Sequence, residues 1–351
     1  MTKVHVVQGA CLSPRQLQAW DQIQQTVPGL ESPYFRPEFT QQVAAVRDDV
    51  EVGILEEGND ICGFFPYQRG AWRVGYPVGG RLSDFQAVIA LPHAVWDARE
   101  LVQACGLRSW RFHHLLAAQQ PFAPYQESTA VSPVMDLSEG FEAYCRRAQS
   151  SVIPQVQRKT RKLEREVGPL RFDFQSGERE ALLTIRQWKS QQYRESEIVD
   201  PFTFDWITQL VEQIFERREP QFSGVLSTLH AGDRLVAAHF GMRSGSVLHW
   251  WFPAYDREFA RYSPGSILLL EIARAAESQG IRRIDLGKGE ETYKTWFSTG
   301  AIALASGIVG ESPLVRALRH GWRRVRDSRW MSPARFAAAC TRSLREQRTF
   351  R

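Results

Sequence analysis

The residues best suited to chemistry lie between positions 250 and 297. A strand there is expected to feed a short loop, and the loop to open a helix. Ser263 can cap that helix. Pro264 suits its first position, because the N–H that proline lacks would be unpaired there anyway. Gly265 and Ser266 then leave first-turn amides uncovered, and such a helix start is a ready site for phosphate oxygens. Arg257 and Arg261 lie just before it and can add charge-assisted contacts. His239 supplies an imidazole on a strand beside the small residues Ala237 and Gly241, which leave room around the ring, so it is a candidate base. His249 alternates with Val247 and Trp251 and is the weaker histidine. Asp285 ends a buried strand before Leu286-Gly287, a common position for a catalytic group. Glu290 is an alternative base. Tyr293 and Lys294 open the next short helix, where Lys294 can meet a phosphate or an acidic acceptor.

Periodicity supplies the elements that must hold these groups. In the second half, helices are expected over 180–193 and 204–217, strands over 222–230, 235–243 and 247–253, a helix over 263–279 closed by Gly280, and a strand over 282–286. The first half repeats the order: helices over 14–27 and 37–46, strands over 50–56, 61–68 and 72–77, a helix over 93–105, and a strand over 110–115. A repeated order of helix, helix, three strands, helix and strand predicts two similar α/β modules. The expected division is 1–137, a basic connecting helix over 138–168, 169–312, and a basic helical tail over 313–351. Cutting near Gly168 is expected to release two separately compact halves.

Composition narrows the function. The chain has 351 residues, 43% of them hydrophobic, enough for two packed domains. It has no apolar run long enough for a membrane span and no signal-peptide core at its start, so a cytoplasmic protein is the default expectation. Five scattered cysteines without a Cys-x-x-Cys pair argue against a disulfide framework and a zinc site. The formal net charge is +5. Basic residues gather over 146–165 and 316–351, which fits an anionic partner or simply two solvated helix faces. Gly-x-Ser-x-Gly, His-Glu-x-x-His and Walker signatures are absent.

The run from Ala254 to Trp296 resembles the CelD-like, FemAB-related GNAT proteins of bacterial polysaccharide synthesis. Its marks are Tyr255-Asp256, Ser263-Pro264-Gly265, Asp285-Leu286-Gly287, Gly289 and Tyr293-Lys294. Val236 to Phe240, Trp188-Lys189 and Tyr193 fit the same family. So do Ser32-Pro33-Tyr34-Phe35, Gly63-Phe64-Phe65-Pro66 and Ser83-Asp84-Phe85 in the first half. The loop before the 263 helix departs from the GNAT pyrophosphate pattern Gln/Arg-x-x-Gly-x-Gly/Ala, reading Arg261-x-x-Pro264-x-Ser266.

The resemblance implies two tandem GNAT-like modules with mixed, mostly antiparallel sheets, and acyl transfer from acetyl-CoA or another acyl-CoA. It implies that backbone N–H groups near Trp251 and Phe252 polarise the thioester carbonyl, and that Tyr293 can protonate the leaving thiolate. The first half lacks a capped phosphate loop and is expected to shape the acceptor cleft, with Asp84 and Phe85 as acceptor-binding candidates, joined by Lys189 and Tyr193 from the first helix of the second half. The expected acceptor is a small-molecule or lipid-linked sugar or another envelope precursor. An aminoacyl-tRNA donor, as in the FemAB branch, is one alternative; a non-enzymatic basic protein binding nucleic acid or membrane is another. No metal is expected, and nucleic acid is not the favoured partner. Residues 314–326 place Leu314, Val315, Leu318, Trp322 and Val325 opposite arginines, a pattern that can lie on the inner face of a membrane or cover the core.

Overall fold

The structure is a computed structural model that describes residues 2–148, 151–289 and 291–310. The tail over 313–351 and Glu290 lie outside the described residues. The first half runs β1 (Lys3–Gln8), α1 (Pro14–Thr26), α2 (Pro37–Val46), β2 (Val50–Glu57), β3 (Asp60–Arg69), β4 (Val74–Tyr76), β5 (Ile89–Ala90), α3 (Ala98–Ala104), β6 (Ser109–Leu116) and β7 (Gln126–Asp136). Two connecting helices follow, α4 (Phe141–Arg147) and α5 (Val152–Glu166). The second half runs β8 (Leu170–Asp173), α6 (Arg179–Glu195), α7 (Asp205–Glu216), β9 (Arg218–Glu219), β10 (Phe222–Ala231), β11 (Arg234–Ser244), β12 (Val247–Tyr255), α8 (Pro264–Ala275), β13 (Arg283–Asp285), α9 (Thr292–Phe297) and β14 (Gly300–Val309).

The repeat is present and longer than periodicity indicated, because each half also begins with a strand, β1 or β8, that pairs antiparallel with the half's own sheet. Each half contains one parallel pair at the same place in the order, β4 with β6 and β12 with β13. The remaining ladders are antiparallel. Among the described residues the strands form one mixed sheet in the order β1-β2-β3-β4-β6-β14-β7-β13-β12-β11-β10-β8, flanked by helices.

Three local expectations need correction. The helix expected from His93 starts at Ala98, because Asp97 accepts the amides of Arg99 and Glu100 at 2.7 and 2.9 Å and so sets the cap. Ser263 does not cap α8. Its backbone is left-handed (φ 53°, ψ 55°), it makes no side-chain cap, and its hydroxyl accepts instead from Lys159 Nζ at 2.6 Å. The separation of the halves is also less clean than the repeat suggests. β14, near the end of the described chain, lies between β6 and β7 of the first half, while β7 pairs with β13 of the second.

One core cluster spans both halves. Trp20, Phe39 and Val43 from α1 and α2 share it with Ile207, Leu210 and Ile214 of α7 and with Phe240 and Phe252. The indole of Trp20 stacks on Phe64 at 4.7 Å and donates to the carbonyl of Phe35 at 2.8 Å, so its polar atom is satisfied inside the core. The α8 face of Ile267, Leu268, Ile272 and Ala273 fills a second cluster with Trp250 and Tyr262. Helix α5 joins that cluster through Val152, Val156 and Leu163 and leaves Arg158, Arg161, Lys162 and Arg165 exposed.

Candidate active site

Strand β12 pairs with β13 only over Val247, Leu248 and His249, opposite Arg283, Ile284 and Asp285. From Phe252 to Tyr255 its ladder partner is β11 alone, and Trp250 and Trp251 lie at the irregularity where the β11 register shifts. The two parallel strands therefore part immediately after the His249–Asp285 pair, and one backbone edge of β12 is left without a strand beside it. Trp251 and Phe252 lie on this parted segment, with both side chains in the core. The edge leads to the N-terminus of α8.

The first half closes this opening. Asp84 Oδ2 and His249 Nε2 lie 2.9 Å apart, with the imidazole fully buried and the Asp84 side chain one quarter exposed. Tyr34 and Phe85 pack edge-on to the His249 ring at 5.0 and 6.0 Å. His114 Nδ1 stands 3.8 Å from the other Asp84 oxygen. Gly287 makes this approach possible. Its φ is +72°, and a Cβ there would sit 3.0 Å from Asp84 Oδ2 and 3.5 Å from the His249 ring. The Asp285-Leu286-Gly287 motif thus passes the chain tightly around the Asp84–His249 pair. Burial pushes the Asp84 carboxyl up, but the hydrogen bond and charge of His249, with His114 and Lys294 nearby, outweigh it and hold Asp84 below the usual carboxylate range.

Lys294 is buried at the same mouth, with Nζ 3.3 Å from the carbonyls of Gly287 and Lys288 and 3.2 Å from the Glu291 carboxylate. The Tyr293 hydroxyl accepts from the Trp250 indole at 3.3 Å, and burial raises it so that it stays protonated. Lys189 on α6 is also buried, donates to Gln192 at 2.9 Å and lies 4.9 Å from the centre of the Tyr193 ring. Burial lowers its pKa to about 8, with Glu291 acting in the opposite direction. Burial raises Tyr193, and the charge of Asp84 is among the groups adding to that shift.

The other sequence candidates are placed differently. His239 is fully buried, stacked on Trp250 at 4.1 Å, and neither ring nitrogen has a partner among the described residues. Burial lowers it to about 3, so the ring is neutral. The room beside it is the absent Cβ of Gly241, which would lie 2.6 Å from the ring. Asp285 is fully buried and bound by Arg283 Nε at 2.7 Å, which fixes the strand end at the mouth. Arg257 pairs with Glu195, and Arg261 with Glu166 at 3.6 Å and with the Tyr262 hydroxyl. In the first turn of α8, the amides of Ser266 and Ile267 donate to the carbonyl of Ser263 at 3.0 and 3.2 Å, while Gly265 stays open, its nearest side-chain atom 3.6 Å from an added Cβ.

Sequence reasoning missed two groups. Lys159 reaches the start of α8 from α5, and its signal was present in the basic run over 146–165. Tyr34 stood inside the Ser32-Pro33-Tyr34-Phe35 motif, but its place against His249 required the fold.

No curated protein matches the chain. Among solved structures, FemX superposes with a TM-score of 0.56 at 9% identity, covering 87% of this chain and 96% of that one. The C-terminal domain of a putative lysylphosphatidylglycerol synthetase from Agrobacterium fabrum gives 0.54 at 13% identity, covering 86% and 94%. L-PGS from Bacillus licheniformis gives 0.50 at 11% identity, covering 87% and 95%. At these identities the likeness is one of fold. Residues 150–295 match the family profile of the acetyltransferase (GNAT) domain, a span that contains the parted β12/β13 strands and α8, in a chain whose two halves repeat one order of α/β elements.

Proposed function

We propose that this chain transfers an acyl group from an acyl-CoA to an amine or hydroxyl on a sugar or other cell-envelope precursor. The observation that carries the reading is the parting of β12 from β13 directly beyond His249, with the start of α8 at one end and Asp84 from the other module at the opposite end. Donor phosphates would meet the N-terminus of α8 and the ammonium of Lys159. The unpaired β12 edge near Trp251 would hold the thioester carbonyl through backbone N–H groups.

The acceptor would approach Asp84, the exposed member of its pair with His249. An ionised carboxylate can hold an acceptor ammonium or hydroxyl, and the Asp84–His249 pair can take the proton released as the new C–N or C–O bond forms. The carbonyl–sulfur bond breaks in the same transfer. The protonated Tyr293 hydroxyl can give its proton to the departing thiolate, and the Lys294 cation can stabilise charge at the mouth. The resemblance to CelD-like proteins supports the polysaccharide-precursor acceptor, and a cytoplasmic location suits an acyl-CoA donor. Among the described residues no helix is long and apolar enough to cross a membrane.

A second reading keeps the acceptor chemistry and replaces the donor with aminoacyl-tRNA. It is favoured by the exposed row Arg158, Arg161, Lys162 and Arg165 on α5, the helix that also delivers Lys159 to α8. Incubating the purified chain with a panel of acyl-CoAs and, separately, with aminoacyl-tRNAs, then measuring bound ligand and hydrolysis by mass spectrometry, separates the two. Acyl-CoA binding supports the first reading. Exclusive turnover of aminoacyl-tRNA replaces it with the second, and the absence of both sinks the transferase reading.

A further inference from the structure

The turn between β3 and β4 carries an unexplained combination. Trp72 is 87% exposed, more than any other large apolar side chain among the described residues. Trp72 and Arg73 are both left-handed, with φ of 55° and 59°. Neither residue type relieves that conformation, whereas glycine or asparagine would. This turn therefore presents an indole to water and accepts backbone strain to do so. Core packing does not account for it, since Ala71, Trp72 and Arg73 are all exposed.

The surroundings are basic. Arg73 Nε donates to the Gly106 carbonyl at 2.5 Å, and the Arg108 amide donates to the Arg73 carbonyl at 2.8 Å, which joins the turn to the start of β6. Arg73 and Arg108 are exposed and form no ion pair among the described residues, while Arg69 beside them is neutralised by Glu51. Tyr76 lies beneath the turn, against Gly70, and is partly exposed. An indole at the tip, a tyrosine at its base and arginines without a carboxylate partner form the pattern that sits at the headgroup level of a bilayer. The ring enters the interface, and the cations meet anionic lipid.

We propose that the Trp72 turn is a membrane-contact element that inserts its indole into the headgroup region of an anionic bilayer. A single ring at a convex tip favours this over single-stranded nucleic acid, which is held by several stacking platforms along a groove. Strand β4 follows this turn, and the next loop of the chain carries Asp84, so the turn belongs to the same module as the proposed acceptor residue. The inference does not depend on the identity of the donor.

The test uses the full chain with vesicles of pure phosphatidylcholine and of phosphatidylcholine mixed equally with phosphatidylglycerol, read by flotation. Binding is expected to the mixed vesicles and to weaken with salt. Trp72→Gly should weaken it roughly tenfold, and Arg108→Glu severalfold. Trp72→Gly should also leave the melting temperature equal or higher, because glycine relieves the left-handed backbone. Wild-type affinity in Trp72→Gly, a lowered melting temperature in that variant, or no vesicle binding by the native chain would each overturn the proposal. Binding of single-stranded RNA lost in Trp72→Gly, without vesicle binding, would assign the turn to nucleic acid instead. Acyl-CoA turnover measured on a soluble acceptor reports separately on the transferase reading.

Discussion

Replacing Asp84 with asparagine tests the site at its most specific point. The side chain keeps its size and can still accept from His249 Nε2, now 2.9 Å from a carboxylate oxygen, but the negative charge is gone. A hydrogen bond to a charged group contributes roughly 1.5–3 kcal/mol, and this one lies beside a fully buried imidazole where water screens little. If that interaction serves acceptor activation, kcat should fall roughly 10- to 100-fold, with a smaller change in donor affinity. The pH profile adds a second readout. The folded-state pKa of Asp84 is lowered, so the carboxylate stays ionised below the ordinary range, and its contribution to activity and stability is lost only as pH falls through that lowered value. The native acid limb attributable to Asp84 should thus lie below the ordinary carboxylate range, and Asp84→Asn should lose that limb rather than shift it. Steady-state release of free thiol from acyl-CoA, followed from acid to neutral pH with the melting temperature measured in parallel, provides the assay. A folded Asp84→Asn enzyme with kcat within about threefold of native would refute the assignment of Asp84 to the reaction.

Three further perturbations follow from the geometry. Gly265→Glu should abolish acyl-CoA binding in calorimetry while leaving the protein folded, since a Cβ at 265 meets nothing closer than 3.6 Å and an acidic residue suits a helix start; unchanged affinity would remove the phosphate site from α8. Lys189→Met should stabilise the chain at neutral pH by on the order of 3 kcal/mol, because the buried amine falls from its ordinary value to about 8 and the unfolded chain binds the extra proton. Native stability should gain from this lysine as pH rises from about 8 toward 10.5, and denaturant titrations in which Lys189→Met keeps the same slope as native would contradict the burial argument. Cutting the chain near Gly168 should leave both fragments poorly folded when expressed apart, because β14 lies between β6 and β7 and β7 supports β13; native-like circular dichroism and a cooperative melt of either fragment alone would show that the shared sheet is dispensable.

The elements themselves were largely legible. Helices α1, α2, α6, α7 and α8, and strands β2, β3, β6, β10, β11, β12 and β13, follow from apolar periodicity and from Gly and Pro punctuation, to within a few residues. Strands β7 and β14 escaped because one carries Pro133 in a polar run, QESTAVSPVMD, and the other is built of small residues, GAIALASGIV, so neither alternates clearly. The cap expected at Ser263 failed because a serine's capping potential requires an extended backbone, and the short 3-10 helix over 257–262 delivers it left-handed onto Lys159.

What the sequence determined by itself was the repeat, the α8 loop and the residue types at the mouth: Asp84 in its Ser83-Asp84-Phe85 motif, Gly287, Tyr293 and Lys294. Local spacing encodes the helix starts, turns and strand ends, which depend on near neighbours, and the resemblance to CelD-like proteins singled out the side chains at the mouth. Only the tertiary structure decided which groups meet. Asp84 and His249 are 165 residues apart, and their 2.9 Å contact exists because the continuous sheet and shared core seat the first module's loop against the second module's parting strands. The same packing left His239 behind Trp250 without a polar partner, although its strand position alone recommended it. Periodicity reports which face of a strand is buried, and burial is common to a core residue and a catalytic one. The charged or polar group on the facing element separates them, and that group is supplied by long-range packing.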